Sequence, residues 1–297
     1  MNVQPLLIQD TEIDWERYML KDEDIARIID PRTLFDRVVA LRDGVGIHEG
    51  TPLPWPGMET LVRLKAGKLS LWAGINHHGK TAILKQLALH WIRSGQHVCM
   101  ASMEESPEET MLDIVHQALP EYEGNNDAID VVCHWASGKL WLYDNQRMMT
   151  TQRMLALIGY AAKEKKCRHF VLDSLMRLGL AQDDYEGQRV FVNHLTNYAR
   201  QLGIHIHLVH HIVKQEDGNI PGRESIRGSG AITDQADHVF IIWRDMREQK
   251  GIDDPDGVLV VAKNRGRPNW IGKVRLWRHA SGQFLRGRFD NPMKFIG

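Results

Sequence analysis

The chain has 297 residues, 43% of them hydrophobic and 25% charged, with a formal net charge of −1. That balance is ordinary for a globular domain and excludes a global field that would draw the protein to nucleic acid or membrane. Three scattered cysteines (Cys99, Cys133, Cys167) exclude a disulfide framework or a cysteine zinc site, and no signal peptide or membrane-length apolar run is present. A reducing compartment, the cytoplasm, is expected.

Residues 1–30 are acidic (Asp10, Glu12, Asp14, Glu16, Asp22, Glu23, Asp24, Asp30) and lack a sustained hydrophobic period, so a loosely attached lead-in is expected. Pro31-Arg32-Thr33 opens a helical run with Leu34, Val38 and Leu41 on one face. A connector over 47–58, with Pro52, Pro54, Pro56 and Gly57, should be extended. Such a helix and linker can dock on another subunit or fold onto its own domain. The division is thus 1–30 lead-in, 31–58 linker helix and connector, and 59–297 main domain.

From Gly67 strand and helix patterns alternate. Strands are predicted at 68–73, 97–103, 139–143, 168–173, 204–210 and 237–243, and helices at 80–94, 107–118, 150–164 and 187–202. This spacing implies an α/β fold with a mostly parallel sheet and helices on both faces. The tail 257–289, with Gly266, Pro268, Gly272 and Gly282, reads as antiparallel edge strands near the C-terminus.

The first strand runs into Gly74-Ile75-Asn76-His77-His78-Gly79-Lys80-Thr81 and then a helical pattern, which is G-x-x-x-x-G-K-[ST] in its required context. Glycines let backbone N–H groups face phosphate, and the helix N-terminus adds partial positive charge. Lys80 supplies a full charge to the β- and γ-phosphates, and the Thr81 hydroxyl can ligate Mg²⁺. The substrate is therefore ATP or another NTP or dNTP. His77 and His78 stand where smaller or apolar residues are usual; they could add a proton-sensitive contact, but are expected to sit outward.

The second strand ends in Met103-Glu104-Glu105-Ser106. Glu104 there can polarise a water, while Ser106-Pro107-Glu108-Glu109 is a sound helix start with Ser106 as cap. The apolar strand His169–Leu172 ends in Asp173, which suits metal binding, directly or through water. His205 and His207, among 15 histidines, fall on a buried strand and are read as packed rather than ligating; His210-His211 ends it. Lys214–Arg223 and Ser225–Ala231 combine cations with small residues, as a loop against a nucleic-acid backbone would, or as a plain surface loop. Lys263-Asn264-Arg265 puts two cations at a strand end; taken alone they are solvated surface charges. From Lys263 onward the chain is basic, which fits either a solvated face or a polyanion-facing surface.

In this order the elements resemble the RecA-like motor domain of DnaB-type hexameric replicative helicases, with particular likeness to the helicase half of phage primase-helicases and to Twinkle. The likeness covers residues 32–288 and is most specific at Gly74–Thr81, Ser102–Ser106, Arg227–Ala236 and Lys263–Arg265. It implies an NTP-driven DNA helicase that moves 5′ to 3′ on single-stranded DNA as a ring, a hexamer, with Mg²⁺ as cofactor. The alternative is a RecA-like nucleotide-binding loader or switch without unwinding activity.

By position the resemblance implies Lys80 and Thr81 for phosphate and Mg²⁺, Glu104 as the catalytic carboxylate and Asp173 for metal. It implies His211 as the γ-phosphate sensor, and Arg265, with Lys263 beside it, as an arginine finger reaching the neighbour's nucleotide. Arg244 matches a residue packed against the base, and Pro31–Leu41 the helix that docks on the adjacent protomer. Residues 214–230 would form the DNA loop, with Lys214, Arg223, Arg227, Gly228, Ser229 and Gly230 as contacts. No zinc ribbon or primase-like stretch precedes Pro31, so primer synthesis is not expected, and a separate primase or loader is the implied partner.

Overall fold

The computed structural model describes residues 7–8, 12–18, 31–43, 49–144, 149–175, 178–180, 183–212, 220–226, 230–247, 250–266 and 269–296. Ten strands form one sheet. Its parallel part is built from β4 (Lys68–Gly74), β5 (His97–Ser102), β6 (Leu140–Tyr143), β7 (Cys167–Asp173), β8 (His205–His211) and β9 (His238–Arg244). The antiparallel edge follows as β10 (Gly257–Asn264), β11 (Gly272–Arg278) and β12 (Phe284–Leu285). The strand order is β1-β6-β5-β7-β8-β4-β9-β10-β11-β12, where β1 is Leu7–Ile8; β2 (Thr51–Pro52) and β3 (Arg63–Leu64) pair separately. This is the mostly parallel sheet with an antiparallel edge that the alternating pattern predicts, and it agrees with the RecA-like fold that the resemblance implies.

Alternation along β4 sorts the core. Leu69, Leu71 and Ala73 face a cluster with α6 (Thr151–Lys163), α7 (Tyr185–Leu202) and α8 (Gly230–Gln235). Trp72 faces the other cluster, with α3 (Lys80–Arg93), α4 (Pro107–Ala118) and α5 (Asn126–Ala136). A strand flanked on both sides buries every residue, and β4 does so after Lys68. Predicted element ends fall within one or two residues of those observed.

Three features differ from expectation. α5 was not predicted, although Asn125 caps it by accepting from the Ala128 N–H at 2.7 Å and Ile129, Val132 and Ala136 share one face. Nor is the N-terminal stretch loose where it is described. β1 extends the sheet by pairing parallel with β6, and Tyr18 of α1 (Trp15–Tyr18) is buried against Gly159, donating to Glu164 Oε1 at 2.5 Å. The Pro-rich connector is extended only at Thr51–Pro52, turns over residues 54–57 where the Met58 N–H donates to the Trp55 carbonyl, and is core. Leu53, Trp55 and Met58 are buried, and Trp55 Nε1 donates to the Phe284 carbonyl at 2.7 Å, pinning the connector to the C-terminal edge. By contrast α2 (Phe35–Arg42) leaves Phe35 and Val38 exposed, by 69% and 60%. Among the described residues no helix is long and apolar enough to cross a membrane.

Candidate active site

The carboxyl ends of β4, β5, β7, β8 and β9 meet one cleft of about 500 Å³, the position where open parallel sheets take ligands. The loop from β4 to α3 needs its glycines for separate reasons. A Cβ on Gly74 would stand 2.6 Å from the Ile242 carbonyl oxygen, and Gly79, with φ of 92°, packs against the Phe284 ring. α3 begins without a side-chain cap, so its first N–H groups stay available to an anion. Lys80 Nζ folds back on the Gly74 and Ile75 carbonyls at 3.1 and 3.0 Å. Burial pulls its pKa down, and Asp173 and Glu104 oppose that shift.

Thr81 Oγ1 donates to Asp173 Oδ2 at 2.7 Å, placing two hard oxygens together beside Lys80. That donor set fits Mg²⁺, which takes few protein oxygens and completes its shell from phosphate and water. Asp173 is raised to about 6, chiefly by burial, against the hydrogen bond from Thr81. Glu104 is the opposite case. Its Oε1 faces His211 Nε2 at 3.4 Å and accepts from Ser174 Oγ at 3.1 Å, and these contacts, the His211 bond first, hold it at about 2. Ser106 caps α4 in a reciprocal box with Glu109, so capping leaves Glu104 to the cleft.

Of the two loop histidines, His77 is exposed at the cleft with φ of 64°. His78 does not sit outward as expected. It is buried, and its Nδ1 accepts the Arg244 backbone N–H at 2.9 Å, tying the loop to the end of β9. Burial and the nearby Lys80 and Arg244 charges push its pKa down. Arg244 lines the cleft, and its Nε is buried without a hydrogen-bond partner among the described residues. Asn76 is a lining residue and Ile75 packs on the core.

Lys263 and Arg265 lie elsewhere. Lys263 pairs in register with Val239 near the start of β9, at the amino ends of the parallel strands. Lys263 Nζ donates to the Thr233 and Asp234 carbonyls at the end of α8 at 2.7 and 2.8 Å. Burial and the Arg265 and Arg223 charges bring Lys263 down to about 8. The Arg265 side chain is exposed. The feet of the loop after β8 are joined by an antiparallel bridge, Ile212 to Ile226. Arg223 is engaged with Thr233 and Asp234, and Gly230 begins α8. Lys214, Arg227, Gly228 and Ser229 lie outside the described residues.

A model of the AAA domain family matches residues 49–217, more than half of the chain and the whole set of strand ends that carries Lys80, Glu104, Asp173 and His211. The chain belongs to the AAA domain family. The chain is similar to the DNA helicase/primase of Enterobacteria phage T3, 25% identical over an alignment of 259 residues that covers 79% of this chain and 43% of that protein. The chain thus spans under half the length of that relative. In fold it is similar to a DnaB-like replicative helicase solved for its interactions with primase, with a TM-score of 0.72 and 17% identity over 89% of this chain and 68% of that one. It is also similar to a second solved structure, an ATPase domain, with a TM-score of 0.68 and 17% identity over 87% of this chain and all of that domain.

The cleft is also lined by residues that sequence reasoning did not single out: Lys85, Glu105, Asp113, Arg278 and Phe284. Lys85 had a visible signal, a cation between Leu84 and Leu87 on the apolar face of a helix. Arg278 and Phe284 had none, because they arrive from strands far downstream of the loop.

Proposed function

We propose that this protein is the motor of a replicative DNA helicase, a ring, hexameric in the family's manner, that hydrolyses ATP or a related nucleotide while moving on single-stranded DNA. The observation that carries the reading is a separation. Lys80, Thr81, Asp173, Glu104 and His211 converge at one end of the sheet, whereas the exposed Arg265 stands at the other end of β10. Leu71 pairs with Val239, the partner of Lys263, and Gly74 is three residues further on, about 10 Å at strand rise. That separation supports reading Arg265 as serving a neighbour's nucleotide rather than its own, each pocket then being shared by two copies.

Within one pocket, Lys80 would leave the Gly74 and Ile75 carbonyls for phosphate oxygens. Thr81 and Asp173 would hold Mg²⁺, which supplies charge neutralisation between the phosphates. Glu104, at about 2, is too weak a base to keep a proton near neutral pH. Its work is to accept a hydrogen bond from the attacking water and aim it, while Ser174 and His211 hold the carboxylate. His211 touches both Glu104 and, through β8, the foot of the loop after Ile212, so loss of the terminal phosphate has a short route to the proposed DNA contacts at Lys214, Arg223, Arg227, Gly228, Ser229 and Gly230. Phe35 and Val38 on α2 supply an apolar face for the adjacent protomer. A separate primase or loader fits beside such a ring, in the cytoplasm.

Hydrolysis measured with and without single-stranded DNA tests this. Glu104→Gln and Arg265→Ala should each be nearly inactive, an arginine finger being worth about 10³–10⁵ in rate, and their mixture should recover activity at hybrid boundaries. Unwinding by either variant alone, or full polynucleotide-independent turnover by a monomer, overturns the motor. Substituting Lys214, Arg223 and Arg227 together should abolish DNA binding and spare basal hydrolysis; unchanged DNA binding would favour the loader or switch.

A further inference from the structure

Two adjacent glutamates follow β5, and the fold sends them opposite ways. Glu104 turns to Ser174 and His211. Glu105 turns to Lys85, whose ammonium is 1% exposed and donates to Glu105 Oε2 at 2.5 Å and to Asp113 Oδ2 at 2.6 Å. Lys85 is one helical turn beyond Thr81 on α3, so the same rigid helix that presents the phosphate loop carries it. Glu105 is held at two further points: its N–H donates to Ser102 Oγ at 3.2 Å, and its Oε2 accepts from Thr110 Oγ1 at 3.4 Å. Upstream, the Met103 N–H donates to the Asp173 carbonyl at 2.6 Å. The backbone that carries Glu104 is therefore fastened on both sides.

Resting on the reading of Glu104 as the water-aiming carboxylate, we propose that Lys85 is a positioning residue for hydrolysis. It anchors Glu105 to the phosphate-loop helix, and so sets the distance between Glu104 and the nucleotide's terminal phosphate. Two physical points support this over a purely cohesive ion pair. A buried ammonium bonded to two carboxylates is costly to desolvate and adds little net stability compared with apolar packing, so holding geometry accounts for it better than cohesion does. The second is that an error of about 1 Å in a reacting group can cost 10²-fold in rate, and Glu105 is the covalent neighbour through which Glu104 is tied to α3. The same ammonium removes Glu105 from competition as the water-aiming group, a choice that two neighbouring glutamates leave open in the sequence.

The test measures kcat and KM for nucleotide hydrolysis in the full chain, with kcat expressed per nucleotide-binding site titrated in the same sample. Glu105→Ala cuts the anchor while Asp113 still pairs Lys85; kcat should fall about tenfold with KM changed less than threefold. Asp113→Asn removes the same charge but leaves the anchor, and kcat should stay within twofold. Lys85→Met should match Glu105→Ala, and Lys85→Arg should recover most of the loss. Equal effects of Glu105→Ala and Asp113→Asn would overturn the proposal, because charge balance alone would then explain them. Undiminished kcat in Lys85→Met would overturn it too, and a higher kcat there would make Glu105 the water-aiming group. If Glu104→Gln hydrolyses normally, the reading of Glu104 fails first, and that outcome is separate from every arm above.

Discussion

Two sets of buried polar groups occupy the same sheet, and they differ in whether they are closed. Under α3, His169, His205 and His207 lie in a layer with Trp72 and Trp91, the Trp91 ring stacked on His169 and His207 at 4.1 and 4.4 Å. Their protons can be assigned by elimination. Trp72 Nε1, a donor only, faces His207 Nδ1 at 3.2 Å, so His207 carries its proton on Nε2. That N–H meets His169 Nδ1 at 3.0 Å, leaving His169 Nε2 to donate to Gln96 Oε1 at 2.6 Å. His205 Nδ1 donates to the Lys65 carbonyl at 2.7 Å, and its Nε2 faces Ser70 Oγ at 2.7 Å. Every ring nitrogen of these three histidines is used with all three rings neutral, although the Trp91 Nε1 beside them has no hydrogen-bond partner among the described residues. In the cleft, Lys80 rests on backbone carbonyls, Asp173 is held near 6 and Arg244 Nε is unpartnered among the described residues. A closed polar network specifies structure; an open one is where a ligand completes the bonding.

The sharpest way to break this contrast is Glu104→Gln, checked by steady-state assay and calorimetry. It should lower hydrolysis by about 10²–10⁴-fold while lowering the melting temperature only modestly, since the half-exposed carboxylate's contacts with His211 and Ser174 are weakened by solvent. The reciprocal change is Trp91→Ala in the closed layer. It should cost about 3–5 kcal/mol in denaturant unfolding and leave nucleotide affinity of the folded fraction intact.

Acid should separate the two regions by sign. Burial pulls His169 to about 3 and His207 well below its usual value, so the unfolded chain takes protons first as pH falls below about 6.5. Stability carried by this layer is present above that pH and is lost progressively on acidification, and His207→Leu should flatten the loss in unfolding followed from pH 7 to 4. Asp173 runs the other way. Its folded pKa is raised above the unfolded one, so its ionisation costs stability as pH rises between the usual carboxylate range and about 6. Mg²⁺-nucleotide affinity should accordingly weaken roughly tenfold between pH 7 and 5, as one proton replaces the metal on one carboxylate. Asp173→Asn should lose that affinity and yet melt a little higher, read by titration and calorimetry on the same sample.

How much was legible follows from the range over which each signal acts. The phosphate loop, the capping box at Ser106 and the aspartate ending β7 are local patterns, and each is read from neighbouring residues. His205 and His207 were read as packed rather than ligating because their strand is apolar, and they are packed. His78 was misplaced because its partner is the Arg244 backbone, 166 residues away. The burial of Leu53 and Trp55 was hidden by the prolines, which predict an extended path and say nothing of what lies against it.

The sequence by itself determined the alternation of strands and helices, the glycines at which the loop curls, and the charged residue types a phosphate site requires, because these depend on dihedral preference and on periods of two and 3.6. Only the tertiary structure decided which of two adjacent glutamates meets His211 and which meets Lys85, which histidines share one set of protons, and that Arg265 stands at the far end of the sheet from its own Lys80. Those outcomes depend on strand order and register, which bring together residues whose separation along the chain carries no pattern of its own.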